Sequence, residues 1–329
     1  MASDPIPRIT ALDNVPSSLR DAVVAIGNFD GVHRGHRAVL DVALQQARDA
    51  GVPALLLTFE PHPRTVFNPQ KPVFRLTPAP LKAELAGLLG FTATVELPFD
   101  RTFAQQSPET FVTDILVNAL GISKVVTGFN FHFGRAREGS PAFLQRAGAE
   151  HGFAVTVVEP FQDEGAELVS SSRIRTCLRD GEIAEAAGLL GYHYTVRCEI
   201  LKGEQLGRKL GFPTANMALP AEADLRTGIY AVRFKRADGS LRDGVANFGF
   251  RPTVNETGSP LLETFIFDFD SLIYGETCSV IFFAHLRNEE KYADLDEMVE
   301  QMKRDSEQAR AVLADLRPLG ELDRALAFA

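Results

Sequence analysis

The sequence predicts an α/β domain built on a parallel sheet, followed by an antiparallel β domain that carries one long C-terminal helix. In the first half of the chain, short apolar runs alternate with helix-length amphipathic stretches, which is the pattern of successive βαβ units. From Tyr192 onward, strand-like runs follow one another with turn-like connections and without intervening helices. This second pattern is typical of an antiparallel barrel or sandwich.

Five apolar runs predict the strands of the first domain, and amphipathic segments predict helices that cover its sheet. The predicted strands are Ala22–Ile26, Ala54–Phe59, Ala93–Leu97, Lys124–Thr127 and Ala154–Val158. A helix is expected over Val39–Ala50, because Gly51 follows it as a stop signal. A second helix is expected over Ser107–Leu120, because it begins with a Ser-Pro-Glu cap and ends at Gly121.

Two short helices, Ser172–Leu178 and Glu182–Leu190, are expected to close the first half, since a glycine stops each of them. The pattern changes after them, which places the domain boundary near residues 188–192. We therefore expect a first domain over residues 1–188 and a second over residues 189–329.

The second domain begins with Tyr192–Ile200, in which every second residue is apolar, as in a half-buried strand. Further strands are predicted at Gly228–Lys235, Gly244–Phe248, Leu262–Phe269 and Ser279–Leu286. A helix is expected over Asp294–Arg317, where eight apolar residues share one face that would pack against the sheet. The last dozen residues are expected to form a tail.

The composition is that of an ordinary globular protein and argues against several classes of function. Of the 329 residues, 45% are hydrophobic and 23% are charged, which excludes a disordered chain or a fibrous repeat. Lys and Arg number 34 against 43 Asp and Glu. The net charge of −9 therefore argues against a nucleic-acid binder or a membrane-surface binder.

Cysteine usage and the N-terminus indicate the compartment. Cys177, Cys198 and Cys278 are far apart and lack metal-ligand spacing, so neither a disulfide framework nor a zinc site is expected. Residues Met1–Thr10 do not have the apolar stretch of a signal peptide, and no run of about 18 apolar residues occurs. We expect a reduced, cytoplasmic protein without a membrane anchor.

The segment Gly27–His36 predicts a phosphate-binding loop. It follows a predicted strand and opens the helix that runs to Ala50, and glycines at such a position let backbone N–H groups approach phosphate oxygens. His33 and His36 are three residues apart and should point the same way, where they suit negative charge that builds up on a triphosphate. A metal-binding pair or two surface histidines is the alternative.

The run Ser170–Arg175 offers a second group of phosphate ligands. Its serine hydroxyls and the guanidiniums of Arg173 and Arg175 stand at the start of a predicted helix. Taken alone, the run would be an ordinary helix cap. Together with Gly27–His36, it describes a triphosphate held from two sides.

In the second half, a glycine-rich loop and one carboxylate predict another site. The loop Gly203–Asn216 suits phosphates, and its Thr214 and Asn216 offer oxygen ligands for Mg²⁺, although a plain turn is the alternative. Glu263 stands in an otherwise apolar strand, where shielding from water would suit a general base. A solvent-facing glutamate on an edge strand is the alternative for Glu263.

The motifs of the first half resemble the adenylyltransferase half of the bacterial bifunctional riboflavin kinase/FMN adenylyltransferases, also called FAD synthetases, over residues 20–190. The motifs that carry the resemblance are Gly27–His36, Thr58–Pro63, Gly128–Arg135 and Ser170–Arg175. It implies a Rossmann-like nucleotidyltransferase fold and an ATP site made of Gly27, Phe29, Asp30, Gly31, His33, His36, Asn130, Ser171, Arg173 and Arg175. It assigns catalytic roles to His33, His36 and Arg175.

The same resemblance implies that Pro61, Pro63 and Phe67 line a flavin site. Four further phenylalanines could stack on the isoalloxazine ring or belong to the core. They are Phe59, Phe129, Phe131 and Phe133. The phosphate of FMN is already anionic near neutral pH, so its adenylylation needs positioning and charge stabilisation but no general base.

The motifs of the second half resemble the riboflavin kinase module, in order and in spacing. They are Gly203–Asn216, Asn247–Thr253, Glu263–Asp268, Tyr274–Gly275 and Leu286–Glu289. The resemblance implies an antiparallel β-barrel that binds Mg²⁺ and ATP through Gly203, Gly207, Thr214 and Asn216, of which the last two hold the metal. It also implies that Glu263 is the base for the ribityl 5′-hydroxyl, and that Arg287 and Arg310 contact or gate the flavin side.

Together the resemblances imply an enzyme that converts riboflavin and ATP to FMN and ADP, and then FMN and ATP to FAD and pyrophosphate. Mg²⁺ is the implied cofactor and small molecules are the implied partners, while a homo-oligomer stays open. Two alternatives remain. One of the two activities is lost, or the chain is a non-catalytic sensor of flavin or nucleotide.

Overall fold

The computed structural model describes most of the chain. The described residues are 6–13, 15–203, 212–251 and 258–329. The chain divides into two compact units, Met1–Ser171 and Ser172–Ala329, and each has its own sheet. Within the described ranges, no helix has both the length and the apolar composition needed to cross a membrane.

The first unit is built on a six-stranded parallel sheet. Its strands are β1 (Arg8–Ile9), β2 (Val23–Ile26), β3 (Ala54–Glu60), β4 (Ala93–Pro98), β5 (Lys124–Gly128) and β6 (Ala154–Val158). They lie in the order β1-β4-β3-β2-β5-β6, and all neighbouring pairs are parallel. The chain places β3 and β4 on one side of β2 and then β5 and β6 on the other, so the strand order reverses at β2.

The five predicted strands of this sheet are confirmed, each to within one residue at either end. The two-residue strand β1 was not predicted, because it is too short to show a periodic pattern. All four residues of β2 are buried, which requires cover on both faces of the sheet.

Among the described residues, five helices of α or π type accompany this sheet. They are α1 (Arg34–Ala50), α2 (Pro63–Phe67), α3 (Ala79–Leu89), α4 (an α-helical turn over Pro108–Thr110 that continues as a π-helix over Phe111–Ala119) and α5 (Pro141–His151). The predicted caps are present: the Oγ of Ser107 accepts a hydrogen bond from the N–H of Thr110 at 3.1 Å, and Gly51 ends α1 at φ +67°. Both predicted helices are thereby confirmed.

The second unit is an antiparallel barrel preceded by two helices, α6 (Ser171–Asp180) and α7 (Ile183–Leu190). Its strands are β7 (Thr195–Glu199), β8 (Thr214–Ala218), β9 (Gly228–Lys235), β10 (Leu241–Arg251), β11 (Ser259–Ile266) and β12 (Thr277–Arg287). They lie in the order β7-β12-β9-β10-β11-β8. The N–H of Leu201 donates to the carbonyl of Asn216 at 2.8 Å, so the two edges meet and the barrel is nearly closed.

Strand β8 is a correction to the sequence interpretation, which treated Thr214 and Asn216 as the end of a loop. The strand pairs antiparallel with β11 along its whole length. Ala215 and Met217 point into the core and are 6% and 0% exposed, while the polar residues Thr214 and Asn216 alternate with them. This short alternation was the available signal, but the glycine-rich stretch before it obscured the start of the strand.

The long C-terminal helix is confirmed as α8 (Leu295–Ala314), capped by Asp294. Its Ala309 and Leu313 pack in one apolar cluster with Ile281 and Phe283 of the barrel. The helix therefore covers one face of the barrel sheet, as its apolar face predicted.

The prediction of a C-terminal tail is wrong. Residues Glu321–Ala327 form a further helix, α9, whose Leu322 and Leu326 are buried. The carboxylate of Asp323 on α9 is fully buried and accepts hydrogen bonds from His193 at 2.9 Å. The segment is too short and too charged to show its role by periodicity, because its burial depends on contacts with distant residues.

Candidate active sites

The first candidate site lies where the strand order of the parallel sheet reverses. The segment Gly27–His36 leaves the carboxyl end of β2, and Asn130 follows the carboxyl end of the neighbouring strand β5. Ligands of open α/β sheets bind in the crevice outside such a reversal point. Asn130 is exposed there, so the predicted phosphate loop and Asn130 share one edge of the sheet.

The phosphate loop turns tightly because its backbone enters the left-handed region three times. The φ angle is +46° at Phe29, +99° at Gly31 and +41° at Val32. Gly27 has no room for a side chain, since an added Cβ would lie 2.9 Å from the Phe29 ring. That ring is only 3% exposed, so Phe29 supports the loop by packing. Such backbone strain clusters at ligand-binding sites.

His33 and His36 lie together at the N-terminus of α1. His33 is the N-cap, and its Nδ1 accepts a hydrogen bond from the N–H of His36 at 3.2 Å. The two rings stack with centroids 3.5 Å apart and planes 16° from parallel. The predicted common direction is confirmed, and the positive end of the helix dipole behind the rings favours an anion in front of them.

Asp30 and Gly31 are held from beneath the loop. The Asp30 carboxylate is 1% exposed, and its Oδ1 accepts a hydrogen bond from the N–H of Thr77 at 3.0 Å. The N–H of Gly31 donates to the hydroxyl of Thr77 at 2.8 Å, and the hydroxyl of Ser171 donates to the carbonyl of Asp30 at 2.7 Å. These contacts fix the shape of the loop. The structure therefore places the Asp30 carboxylate inside the protein rather than toward an open ligand face.

The predicted flavin-lining residues follow β3. Pro61 is exposed and is joined to Glu60 by a cis peptide bond, and Pro63 is the first residue of α2. Phe67 ends this helix and is 60% exposed, with its ring edge against Phe99 at a centroid distance of 5.8 Å. An exposed ring held in place by a second ring is suited to stacking on a planar ligand.

The four phenylalanines that could belong to either the core or the flavin site differ in their burial. Phe59 and Phe133 are 6% and 7% exposed and belong to the core. Phe131 is partly buried and stacks on Phe133 at 5.5 Å. Phe129 is 44% exposed, so it alone of the four keeps a largely open ring.

The residues of the Ser170–Arg175 run divide between the two units. Ser171 belongs to the first unit, whereas Arg173 and Arg175 belong to the second. The Arg173 guanidinium lies 2.8 Å from the carboxylate of Glu185, and Arg175 is 9% exposed. The predicted helix start is confirmed, since α6 begins at Ser171.

The second candidate site is a row of polar side chains across the barrel sheet. Glu263 of β11 stands directly opposite Asn216 of β8 on one side and Asn247 of β10 on the other. Residues directly opposite each other in a sheet point to the same face, with Cβ atoms about 5 Å apart. Asn216 is 5% exposed and Glu263 is half-buried. One carboxylate is thus set between two amides.

Gly203 and Thr214 complete this polar row. A Cβ on Gly203 would lie 2.7 Å from the Nδ2 of Asn216, so the glycine allows the backbone to pack directly on that amide. The same Nδ2 donates to the carbonyl of Thr214 at 3.2 Å. The structure therefore brings Gly203, Thr214 and Asn216 together with Glu263, while Gly207 lies outside the described residues.

Arg287 lies in the same cross-strand row, further along the sheet. It stands opposite Ile229 of β9, which in turn stands opposite Asn247. Its guanidinium forms a bidentate pair with the buried carboxylate of Asp305 on α8, at 2.8 Å and 2.7 Å. Hydrogen bonding to Asp305, opposed by burial, raises the pKa of Arg287. The side chain is therefore a fixed cation.

Arg310 lies on an exposed part of α8 and is engaged elsewhere. Its guanidinium stacks over the Phe267 ring at 4.1 Å and lies 3.2 Å from the carboxylate of Asp268. Both partners lie beyond the end of β11, whereas Glu263 is in the middle of that strand. The described contacts thus do not join Arg310 to the polar row.

Comparison with known proteins matches each unit to a different family. Residues 15–173 match the FAD synthetase family, and residues 190–313 match the riboflavin kinase family. Over most of its length, the chain is similar to the bifunctional riboflavin kinase/FMN adenylyltransferase of Escherichia coli K12, with 37% identity over 296 residues, which are 90% of this chain and 94% of the relative. The chain belongs to this bifunctional family.

Two further relatives and one solved structure agree with this membership. The family members of Pseudomonas fluorescens and Bacillus subtilis are 37% and 32% identical and cover 93% and 90% of this chain, with 97% and 94% of their own lengths. A crystal structure described as a macrolide-efflux protein from Streptococcus pneumoniae superposes with a TM-score of 0.79 at 29% identity, covering 93% of this chain and 99% of that one. Both halves of the fold are therefore shared with a solved chain.

The sequence analysis of this family member missed two residues. Asn247 was quoted within a motif but given no role, and its place opposite Glu263 follows from strand register, which a motif does not display. Lys82 was not singled out at all, although it is 1% exposed. The available signal was its spacing from Leu85 and Ala86, which put a lysine on the buried face of α3.

Proposed function

We propose that the enzyme phosphorylates riboflavin with ATP to give FMN and ADP, and then adenylylates FMN with ATP to give FAD and pyrophosphate. The observation that carries this proposal is the difference between the two sites. The barrel site contains a carboxylate that can accept a proton from a hydroxyl, whereas the loop site contains two stacked imidazoles at a helix N-terminus, where negative charge on a phosphate is stabilised.

In the kinase reaction, we assign Glu263 as the general base. It accepts the proton of the ribityl 5′-hydroxyl as that oxygen bonds to the γ-phosphorus of ATP and the bond to the ADP oxygen breaks. The two asparagines beside it, Asn216 and Asn247, orient the carboxylate and the polar groups of the substrates. A half-buried position suits this role, because the carboxylate is shielded from bulk water but open to a ligand.

We assign the metal to Thr214 and Asn216. Their hydroxyl and amide oxygens are the hard donors that Mg²⁺ prefers, and the backbone of Gly203 packs closely beside the Asn216 amide. The donor set therefore fits the ion. When bound, Mg²⁺ neutralises charge that develops on the transferred phosphoryl group. Gly207 is proposed to bind ATP with Gly203, on the resemblance alone.

In the adenylylation reaction, a phosphate oxygen of FMN attacks the α-phosphorus of ATP, and pyrophosphate leaves. We assign His33 and His36 to the charge that develops on the triphosphate, with Asn130 placing the phosphates at the same sheet edge. Gly27, Phe29, Asp30 and Gly31 shape the loop that holds ATP. Ser171, Arg173 and Arg175 are proposed to bind the triphosphate, with Arg175 in a catalytic role, on the resemblance of their motif.

The flavin assignments differ in support. Pro61, Pro63 and Phe67 are proposed to line the flavin site of the adenylyltransferase, supported by the exposed ring of Phe67. Arg287 is proposed to act on the flavin side of the kinase site, supported by its place in the polar row. Arg310 is proposed for the same side on the resemblance alone.

The domain limits and the compartment complete the proposal. An adenylyltransferase domain over residues 1–188 and a kinase domain over residues 189–329 are supported by the two family matches, which end at residue 173 and begin at residue 190. A cytoplasmic location is supported by three free cysteines within the described residues. The proposed partners are small molecules, with no nucleic acid, no membrane and a homo-oligomer left open.

A chromatographic time course tests the proposal. Full-length protein is incubated with riboflavin, ATP and Mg²⁺, alongside the Glu263→Gln and His36→Ala variants. We expect Glu263→Gln to make no FMN but to convert supplied FMN to FAD, and His36→Ala to stop at FMN. Loss of only one activity in wild type would support the one-activity alternative. Bound flavin without turnover of either substrate would support the sensor.

A further inference from the structure

A cluster of four charged side chains, two of them buried and two partly buried, connects the phosphate loop with the end of β3 in the first unit. The charged cluster consists of Lys82, Glu60, Arg75 and Asp30. Lys82 is 1% exposed and Asp30 is 1% exposed. None of the four is needed for proton transfer in adenylylation, since the attacking phosphate is already an anion. The burial of Lys82 and Asp30 at this place therefore needs another explanation.

Lys82 connects two segments whose relative position matters for the reaction. Its Nζ donates to the carbonyl of Asn28 in the phosphate loop at 2.9 Å and to the hydroxyl of Thr58 in β3 at 2.9 Å. It also lies 3.4 Å from the carboxylate of Glu60, the residue that directly precedes Pro61. An ammonium has three N–H donors, so these three acceptors use all of them.

Arg75 extends this link to Asp30, two residues after Asn28 in the phosphate loop. It forms a bidentate pair with Glu60, with both distances 2.7 Å, and its Nε lies 3.4 Å from the Oδ1 of Asp30. Burial opposes ionisation of Glu60, but hydrogen bonding from Arg75 and the charge of Lys82 keep the pKa of this carboxyl below its ordinary value. The charges therefore alternate along the cluster, in the order Lys82, Glu60, Arg75 and Asp30.

We propose that Lys82 is a positioning residue for FMN adenylylation. Through its contacts, it fixes the distance between the phosphate loop and the flavin-lining segment. The inference rests on the roles proposed above for Gly27–His36 and for Pro61–Phe67. A buried ammonium is suited to this task, because its directional contacts define one geometry whereas apolar packing tolerates several. Adenylylation depends on in-line approach of two anions, so a small error of placement is costly.

Replacing Lys82 with methionine preserves apolar volume but removes the link. The carbonyl of Asn28 and the carboxylate of Glu60 each lose a buried donor, and two carboxylates remain with one cation. The two loops are then free to shift relative to each other. The riboflavin kinase site is in the second unit and contains no member of the charged cluster.

The protonation of Lys82 gives a second consequence. Burial lowers the pKa of Lys82 to about 8, and the charged groups that face it are Arg75, Glu60 and Asp30. Below this pH, the ammonium keeps its three donors. Above it, the neutral amine has two, and its attraction for Glu60 is lost. Adenylylation by wild type should therefore decline on the alkaline side, while kinase activity should not follow the same curve.

The test compares full-length Lys82→Met with Leu85→Ala, a cavity-forming variant of the same helix at a 0% exposed position outside the charged cluster. Both should lower thermal stability. We expect Lys82→Met to lower kcat/KM for adenylylation by about 10- to 100-fold, with riboflavin kinase activity unchanged, and Leu85→Ala to retain adenylylation at temperatures where it is folded. Equal loss of adenylylation in both variants would show a merely structural role and overturn the proposal.

The pH profile supplies a readout that destabilisation alone does not move. Wild type should show an alkaline decline of adenylylation with a midpoint near pH 8, and the residual activity of Lys82→Met should be flat across that range. An alkaline decline that persists unchanged in Lys82→Met contradicts the proposal. His36→Ala distinguishes failure of the proposed function from failure of the role of Lys82. If His36→Ala adenylylates FMN at the wild-type rate, the assignment of the phosphate loop fails. If His36→Ala is inactive and Lys82→Met behaves like Leu85→Ala, only the role of Lys82 fails.

Discussion

Loss of the Asp323 carboxylate is expected to unfold the second unit at a lower temperature and leave the first unit unchanged. Asp323 fastens α9 to the start of the barrel: its carboxylate accepts hydrogen bonds from the backbone N–H of His193 at 2.9 Å and the N–H of Leu319 at 2.9 Å. Its oxygens also lie 2.9 Å and 3.0 Å from the Nδ1 of His193. The carboxylate is 0% exposed and His193 is 7% exposed, so water cannot replace these contacts.

The magnitude follows from the groups that Asp323→Ala leaves behind. Each buried backbone N–H without an acceptor costs about 1–3 kcal/mol, and removing one partner of a buried pair, here the carboxylate that faces the His193 ring, costs up to about 3–5 kcal/mol. These contributions overlap, so we expect a loss of about 4 kcal/mol in the free energy of unfolding of the second unit. For a unit of this size, this corresponds to a decrease in Tm of about 10 °C.

The assay is differential scanning calorimetry of the full chain, with each transition assigned by the activity that is lost with it. Lys303→Ala is the matched control, because its pair with Glu300 on α8 is 55% and 63% exposed and such a pair contributes about 0.5 kcal/mol. A decrease in Tm no larger than that of Lys303→Ala would refute the reasoning. So would an equal decrease in the transition that accompanies loss of adenylylation.

The same pair gives a pH dependence with a defined sign. Burial opposes ionisation of Asp323, but hydrogen bonding from His193 and its charge keep the pKa of this carboxyl below its ordinary value. Its contribution to stability is therefore complete above the unfolded-state pKa of about 4 and is lost as the pH falls through the lower folded-state value. Acid titration of the second-unit Tm should be steeper in wild type than in Asp323→Asn.

Three further predictions concern the polar row of the barrel. Glu263→Gln should lower the riboflavin kinase kcat by about 100- to 10,000-fold, measured by FMN formation, and a rate close to wild type would exclude Glu263 as the base. Asn247 has a buried Oδ1 with no hydrogen-bond partner in the described ranges. Asn247→Leu should therefore leave the Tm unchanged or higher and raise the KM for a kinase substrate. A lower Tm with unchanged kinetics would show a structural role instead. Gly203→Ala should raise the KM for ATP in the kinase reaction, because the new Cβ would lie 2.7 Å from the Nδ2 of Asn216; Gly188→Ala, with no atom within 4 Å of the added Cβ, is the control that should keep wild-type kinetics.

Local signals in the sequence were sufficient for the elements that create the first site. The apolar run before Gly27, the stop at Gly51 and the His33–His36 spacing each act over a few residues, and the structure places a strand, a helix and a stacked ring pair there. The same holds for α8, whose apolar face is visible over 20 residues. Such features depend on periodicity and capping, which a single sequence displays.

Features that depend on strand register or on distant partners could not be predicted from the sequence. Glu263, Asn216 and Asn247 are separated widely in sequence, and only the pairing of β8, β10 and β11 makes them neighbours. The role of α9 depends on a buried partner 130 residues away. Lys82 was not singled out from the sequence, and the acceptors that make its burial tolerable come from other parts of the chain.

Complementation between two inactivated chains tests the central claim, that one polypeptide carries two reactions at two separate sites. Glu263→Gln and His36→Ala are each incubated with riboflavin, ATP and Mg²⁺, first alone and then mixed, and FAD is measured by chromatography. The account predicts no FAD from either variant alone, and FAD from the mixture after a lag in which free FMN accumulates. FAD formed from riboflavin by either variant alone would contradict it, as would a mixture that accumulates FMN without converting it to FAD.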